Sequence, residues 1–338
     1  MVDPEKKPTI GIIMGDPAGI GPEVALKSLT GPEIHDICRA ILIGDYDILD
    51  DHAEQFAPEL SLSCKKDDRE GTEGAPFAVE VRDLGSEYGP VGMGRASEAG
   101  GRITLDAIRM AFRLALDGEL DGIVMAPINK EALAKADAAY HSEFELFAEL
   151  AGVERVWGVV NWERIFRTTV TGHIPFREIV EHLTPSAIVD AAHVLRETIV
   201  RFGIRQPRLA VAALNPHAGE RGLIGDEEQT IIAPAVESLI ESGMDVKGPI
   251  PADTVFARAQ QGEFDGIVFL YHDQGNIAMK SVAFGEGVVI YAGLPVAAAT
   301  PGHGSAYDIA GKGIAREGNM IESLKTVVQM AGAEKSSL

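Results

Sequence analysis

Three histidines, His173, His217 and His272, each stand just past a short β-branched, apolar run and at the start of a loop. The runs are Ile165 to Thr171 before TGHIP, Leu209 to Leu214 before NPHAGE, and Gly266 to Leu270 before YHDQG. If these are parallel strands of one open α/β sheet, their carboxyl ends lie along one edge, where ligands of such folds bind. Three imidazoles there could hold one divalent metal, since neutral imidazole suits zinc and other first-row ions. The alternative is three hydrogen-bonded histidines that only cap strands.

A second constellation is the N-terminal TIGIIMG followed by DPAGIGPEVALKSL, which reads as strand, glycine-bearing loop and helix. Pro22 suits the first helical turn and Glu23 complements the helix dipole. Gly15, Gly19 and Gly21 would let the backbone approach an anion at the helix N-terminus, or simply make a tight turn. The loop is neither GxGxxG nor a Walker loop. Asp16 either caps the helix or takes part in catalysis.

The elements that must position these groups alternate between strand-like runs and longer helical patterns, which argues for βαβ units and a mainly parallel sheet. Further candidate strands are Thr9 to Met14, Ala40 to Gly44, Phe77 to Val81 and Gly122 to Ala126. Candidate helices are Arg102 to Leu116, Pro185 to Arg201, Glu227 to Glu241 and Asn319 to Met330, with apolar residues at 3.6 spacing. Lys65 to Glu73 reads as a charged, exposed loop, and no internal repeat is visible.

Composition excludes several partner classes. The formal charge of −21 and pI near 4.8 repel phosphate backbones and anionic lipid, so neither nucleic acid nor membrane is an expected partner. The start has no basic segment followed by an apolar stretch, and the longest apolar run, Val288 to Thr300, is interrupted by Gly293 and Pro295. Cys38 and Cys64 make neither a disulfide framework nor a CxxC site. The chain reads as soluble and cytoplasmic, with 338 residues forming two lobes.

GIIMGDPAGIGPE, MAPINKEAL, LNPHAGERGLIGDEE, GPIPADTVF, YHDQG with Lys280, and HGSAYDIAGKGIA follow one another in this chain. In that order they resemble the 4-hydroxythreonine-4-phosphate dehydrogenase family. The resemblance implies an α/β fold of two α/β/α lobes, isocitrate/isopropylmalate dehydrogenase-like. It places one lobe at 1–127 plus 285–338, and the other at 128–284 with the metal ligands and dimer contacts. It also implies a homodimer whose active sites use both subunits.

Carried across residue by residue, the family's metal ligands fall on His173, His217 and His272, two from one subunit and one from its partner. The metal's identity stays open among zinc, magnesium, manganese and cobalt. His141 and Ser142 resemble the family's substrate-binding HTEF pair, with serine for threonine, and Lys280 its substrate-contacting lysine, against the alternative of a surface lysine. Asp253 and Asp16 join Lys280 as catalytic candidates. His303, Gly304, Ser305, Ala306 and Asp308 match the cofactor loop of the decarboxylating dehydrogenases, although Asp308 could instead cap the next helix. The expected cofactor is NAD, because the loop has no nearby basic residue for a 2′-phosphate; Lys312 leaves NADP open.

The implied reaction is metal-dependent oxidation of a hydroxy acid with decarboxylation. One stretch departs from the family pattern. In VVIYAGLPVAAATPGHGSA, Val289 stands for an asparagine, Ala298 for an arginine and Gly302 for an aspartate. An arginine fork to phosphate is worth about 2–3 kcal/mol. Its loss, with apolar Val289, Val296 and Ala297 to Ala299, points to a drier pocket and a non-phosphorylated substrate such as a cis-dihydrodiol carboxylate. The alternative is a phosphorylated four-carbon acid, 4-hydroxythreonine 4-phosphate or threonate or erythronate 4-phosphate, with Arg177 or Arg221 restoring the clamp. A reading from another class is a non-catalytic ligand-binding protein on the same scaffold.

Overall fold

The computed structural model describes residues 7–64, 75–137, 139, 142–283 and 285–335. The expected loop at Lys65 to Glu73 and the substrate candidate His141 lie outside the described residues. The chain divides into two compact units, residues 1–156 with 294–338, and residues 157–293.

The first unit starts with β1 (Thr9–Ile13), β2 (Arg39–Gly44), β3 (Leu60–Cys64), β4 (Phe77–Asp83) and β5 (Gly122–Met125). Between and after them run α1 (Gly21–Lys27), α2 (Pro32–Ile37), α3 (Tyr46–Phe56), α4 (Glu98–Leu116), α5 (Lys130–Ala136) and α6 (Glu143–Ala151). The second unit holds β6 (Trp157–Trp162), β7 (Ile165–Thr169), α7 (Ile179–His182), α8 (Pro185–Arg201) and β8 (Leu209–Ala212). It continues with α9 (Ala233–Glu241), β9 (Val246–Ile250), α10 (Ala252–Gln260), β10 (Gly266–Phe269), α11 (His272–Lys280) and β11 (Val288–Ala292). The chain then completes the first unit with β12 (Ala297–Pro301) and α12 (Gly318–Lys335).

In the first unit the order is β3-β4-β2-β1-β5-β12, all parallel. β1 and β5 are the middle of this sheet, and Ile10, Ile12, Ile13, Val124 and Met125 are buried. A parallel strand covered on both faces reads as a continuous apolar run. The chain winds outward from β1 through β2 on one side and β5 on the other, so the carboxyl ends of β1 and β5 form the topological switch point.

In the second unit β11-β6-β7 are antiparallel neighbours, followed by β7-β10-β8-β9 in parallel. The three histidine-bearing runs therefore are adjacent parallel strands in the order β7, β10, β8. The apolar run at 288–300 splits into β11 and β12 because Gly293, at φ +91°, turns the chain.

Two boundaries differ from expectation. The units divide at 156/157 and 293/294 rather than 127/128 and 284/285. The reason is α4, against which α5 and α6 fold back: Phe112 and Phe147 meet with ring centroids 4.9 Å apart. At Gly101 a Cβ would stand only 2.0 Å from the Ala132 carbonyl. That close approach needs glycine inside α4, and it also masks the helix start in the sequence. Ser97 caps α4 by accepting from the Gly100 N–H at 3.1 Å, so the helix begins at Glu98 rather than Arg102. The helix expected over 227–241 opens as a π-helical turn, Glu228–Ile232, before α9.

Candidate functional site

In the first unit, loops after β1, β5 and β12 converge at the switch point. Asp16 N–H donates to the Pro127 carbonyl, and Ile20 N–H to the Ser305 carbonyl, both at 3.0 Å. Asn129 caps α5 through Oδ1, 3.0 Å from the Ala132 N–H, and its Nδ2 reaches the Ser305 hydroxyl at 3.4 Å. Asp16 is fully buried. Its Oδ1 accepts from the Ala18 N–H at 2.9 Å and its Oδ2 from the Tyr307 hydroxyl. Burial raises the Asp16 carboxyl above its ordinary range, against the pull of the Tyr307 and Ala18 donors. Asp16 thus closes its own loop and ties it to the 303–308 segment; α1 starts later, behind Ile20, with no side-chain cap.

The glycines of this loop face protein. A Cβ at Gly15 would stand 2.5 Å from the Pro127 carbonyl oxygen, at Gly19 2.7 Å from that of Ser305, and at Gly21 2.6 Å from that of Met14. The tight-turn reading of the loop is the one its surroundings fit. Glu23, acidic in the first turn of α1 as expected, also has a second task. It is buried and accepts from Lys27 Nζ at 2.7 Å and the Ala315 N–H at 2.9 Å, pinning the segment before α12.

Within the cofactor-loop candidates, Ser305 is buried, Gly304 and Asp308 are exposed, and Ala306 holds φ +41°. Burial lowers the His303 imidazole pKa, partly offset by its contact with the Gly304 carbonyl. Asp308 caps no helix, since α12 begins ten residues on at Gly318; its carbonyl accepts from Lys312 Nζ at 2.7 Å.

In the second unit the strand ladder extends past β7 and β10, with Val170 and Thr171 N–H donating to the Phe269 and Leu270 carbonyls. This carries His173 and His272 side by side, ring centroids 4.7 Å apart and tilted by 46°. Gln274 locks the same end to β8: Oε1 accepts from the Leu270 N–H at 2.9 Å and Nε2 donates to the Ala213 carbonyl at 2.8 Å.

His217 enters on an unusual turn. His217, Ala218, Gly219, Glu220 and Arg221 all have φ between +44° and +75°, one turn of left-handed helix. For L-residues this costs about 1–2 kcal/mol each. Buried Glu228 offsets it, accepting from the Leu214 and Asn215 N–H groups at 2.9 and 2.7 Å and from Asn215 Nδ2 at 3.0 Å. Gly219 packs so closely on this carboxylate that a Cβ would stand 2.6 Å from Oε2.

These imidazoles fit a metal ion chemically. His272 Nδ1 lies 2.7 Å from Asp273 Oδ1, and His217 Nδ1 lies 2.9 Å from Glu220 Oε1. A carboxylate only accepts, so each Nδ1 carries the proton and each Nε2 keeps the lone pair, the arrangement found behind metal-bound histidines. With imidazole nitrogens about 2.0–2.1 Å from an ion, two rings sharing it have centroids roughly 5 Å apart. The His173–His272 spacing of 4.7 Å meets that requirement. Among the described residues no three His, Cys, Asp or Glu side chains gather for one ion, so within one chain His217 does not join the pair.

The other candidates scatter. Asp253 is exposed in the first turn of α10, which packs against the His217 turn. Lys280 is exposed at the end of α11, about 12 Å along the helix axis from His272 at 1.5 Å per residue. Ser142 is the N-cap of α6, accepting from the Glu145 N–H at 3.4 Å. Sequence reasoning passed over Glu228, Asn215, Tyr307 and Arg167. The last was detectable as a single charge inside the apolar run Ile165 to Thr171.

Imidazoles with carboxylate-held Nδ1 atoms thus stand at the ends of parallel strands in an α/β architecture. The profile described as "Pyridoxal phosphate biosynthetic protein PdxA" matches residues 36–327, and the chain belongs to this family. A Geobacter metallireducens 4-hydroxythreonine-4-phosphate dehydrogenase is 38% identical, over 97% of this chain and 96% of its own length. An Oceanobacillus iheyensis protein, provisionally named a D-threonate 4-phosphate dehydrogenase, is 37% identical over 96% and 98%. Among solved structures, the 4-hydroxythreonine-4-phosphate dehydrogenase of Klebsiella pneumoniae superposes with a TM-score of 0.84 at 36% identity, covering 97% of this chain and 99% of its own.

A terephthalate 1,2-cis-dihydrodiol dehydrogenase from Burkholderia xenovorans is more distant, with a TM-score of 0.66 at 28% identity, over 96% and 98%. The dihydrodiol expectation is corrected accordingly. Its structural premise fails too: Ala297, Ala298 and Ala299 are at most 2% exposed, inside β12 and paired with β5, so they line no drier pocket.

Proposed function

We propose that the chain is a divalent-metal-dependent NAD(P) dehydrogenase that oxidises a phosphorylated four-carbon hydroxy acid, 4-hydroxythreonine 4-phosphate or D-threonate 4-phosphate. Support for the substrate comes from relatives at 37–38% identity that carry those names. The observation that carries the metal reading is the His173–His272 pair with Nδ1 of His272 held by Asp273. Decarboxylation after oxidation belongs to the same proposal.

Held by the histidines, a divalent ion would supply Lewis acidity toward a substrate hydroxyl, and a nicotinamide at the 303–308 loop would supply the hydride acceptor. The chain's own groups do the rest. His173, His217 and His272 present imidazole nitrogens, and Asp273 and Glu220 accept from Nδ1 of His272 and His217. Lys280 and Asp253 are the catalytic candidates, His141, Ser142 and Lys280 those for binding substrate, and the 303–308 loop that for the cofactor.

A homodimer sharing its active sites is part of this reading, because one chain gathers a pair of the histidines rather than all three. Exposed apolar side chains follow each of them: Phe176 and Val180 after His173, Leu223 and Ile224 after His217, Ile277 and Val282 after His272. Burying a second copy's surface over such side chains is the ordinary source of dimer stability. Arg221, exposed beside His217 on the left-handed turn, and Arg177 are offered as the replacement phosphate ligands.

The test is NAD and NADP reduction with zinc, magnesium, manganese or cobalt added, across both phosphorylated acids and a cis-dihydrodiol carboxylate. Turnover of a phosphorylated acid, with KM raised in Arg221→Ala or Arg177→Ala, is the expected result. Turnover of the dihydrodiol alone would overturn the substrate, and tight ligand binding without any reduction would favour a binding protein.

A further inference from the structure

Arg167 is the one charged residue of β7, and it is 7% exposed. Its stem packs against α11, where a Cβ at Gly275 would stand 3.2 Å from Arg167 Cδ. Its Nε finds no hydrogen-bond partner among the described residues. Burying a guanidinium is costly, and little offsets that cost here beyond one side-chain contact. That contact is Nη2 donating to Asn276 Oδ1 at 2.5 Å, and Asn276 Nδ2 in turn lies 2.7 Å from His272 Nε2.

The donor inventory makes this chain directional. Arginine can only donate, so the Asn276 atom facing it must be the oxygen. The amide nitrogen then faces His272, and Nε2 must accept. The imidazole proton is left on Nδ1, toward Asp273. Asp273 alone would be a weak anchor, since its side chain is 72% exposed and exposed ion pairs contribute little. The buried Arg167–Asn276 arm is the rigid one.

We infer that Arg167 is a positioning residue. Acting through Asn276, it orients the His272 ring and holds it in the tautomer whose Nε2 lone pair is free for a Lewis acid to take in place of the amide N–H. This rests on the metal reading above for its purpose, but not for its chemistry. Asn276→Asp keeps the shape and reverses the polarity: a carboxylate accepts from Arg167 and also from an Nε2–H, drawing a proton onto the nitrogen that should stay bare.

The experiment is 15N-histidine NMR of the purified protein without metal, with zinc affinity measured by chelator competition on the same samples. The wild type should show His272 protonated at Nδ1 only. Asn276→Asp should place a proton on Nε2 and weaken zinc binding by about 10–100-fold, the usual effect of outer-sphere changes. Arg167→Met should give a tautomer mixture, and Arg167→Lys, which retains a donor, should restore the wild-type signal. An Nε2 that stays unprotonated in Asn276→Asp, with zinc affinity unchanged, overturns the inference. A tautomer that follows Asn276 in a protein that never binds zinc supports the positioning role and removes the metal reading instead.

Discussion

The loops at the two sets of strand ends solve opposite problems. Around Asp16, the acid and the glycines of the loop after β1 are spent on the protein itself: glycine faces meet the carbonyls of Pro127, Ser305 and Met14, and the carboxyl group meets Ala18 and Tyr307. Around the histidines the surrounding groups are spent on holding imidazoles whose Nε2 atoms keep their lone pairs. The lesson is that glycines and a buried acid at a switch point can complete a fold, whereas exposed imidazoles held in one tautomer leave acceptor nitrogens for a group from outside the chain.

The largest expected effect lies in the second region. His173→Ala or His272→Ala should abolish zinc retention and metal-dependent turnover, measured by metal content and nicotinamide absorbance. An unchanged metal content would erase the contrast. Gly15→Ala should act on stability, costing about 2–4 kcal/mol from a left-handed residue and overpacking against the Pro127 carbonyl. Chemical denaturation reads this, and a protein of normal stability with altered cofactor binding would make the Asp16 loop a ligand loop after all.

Smaller again, Asp273→Asn or Glu220→Gln should weaken metal binding by about 2–5-fold, as expected of exposed partners, with little change in melting temperature. Equal losses of stability and affinity would show that these carboxylates hold the fold rather than the rings. The smallest effect is on pH. The folded-state pKa of Asp16 is raised above the ordinary 3.8 by burial, so stability from its neutral form is present below that value. It is lost as pH rises through the raised one. The melting-temperature difference between Asp16→Asn and wild type should therefore shift in favour of the variant as pH rises above about 4, as expected of a buried acid. A difference independent of pH would place Asp16 in a wetter site than its burial implies.

Much of this organisation was readable in the chain. Parallel central strands bury both faces and therefore appear as unbroken apolar runs, as at Gly122–Met125 and Gly266–Phe269, and the loops after β7, β8 and β10 carried the histidines. Edge and hairpin strands were not readable on the same terms. Leu60–Cys64 alternates, Val246–Ile250 contains Gly-Pro, and Val288–Ala292 merged with its neighbour into one apolar stretch. Asp16 and Lys280 illustrate the limit for the site: residue type marked both, but one is walled in by protein and the other is exposed two helical turns from His272.

By itself, the amino-acid sequence determined the family, the α/β class and the placing of three imidazoles after three apolar strands, because these depend on local pattern and on order along the chain. Tertiary structure alone decided which imidazoles stand side by side, which tautomers they hold and which arginine stands behind them. Those properties arise from contacts between residues far apart in sequence, as when Arg167 on β7 reaches Asn276 on α11 across 109 positions.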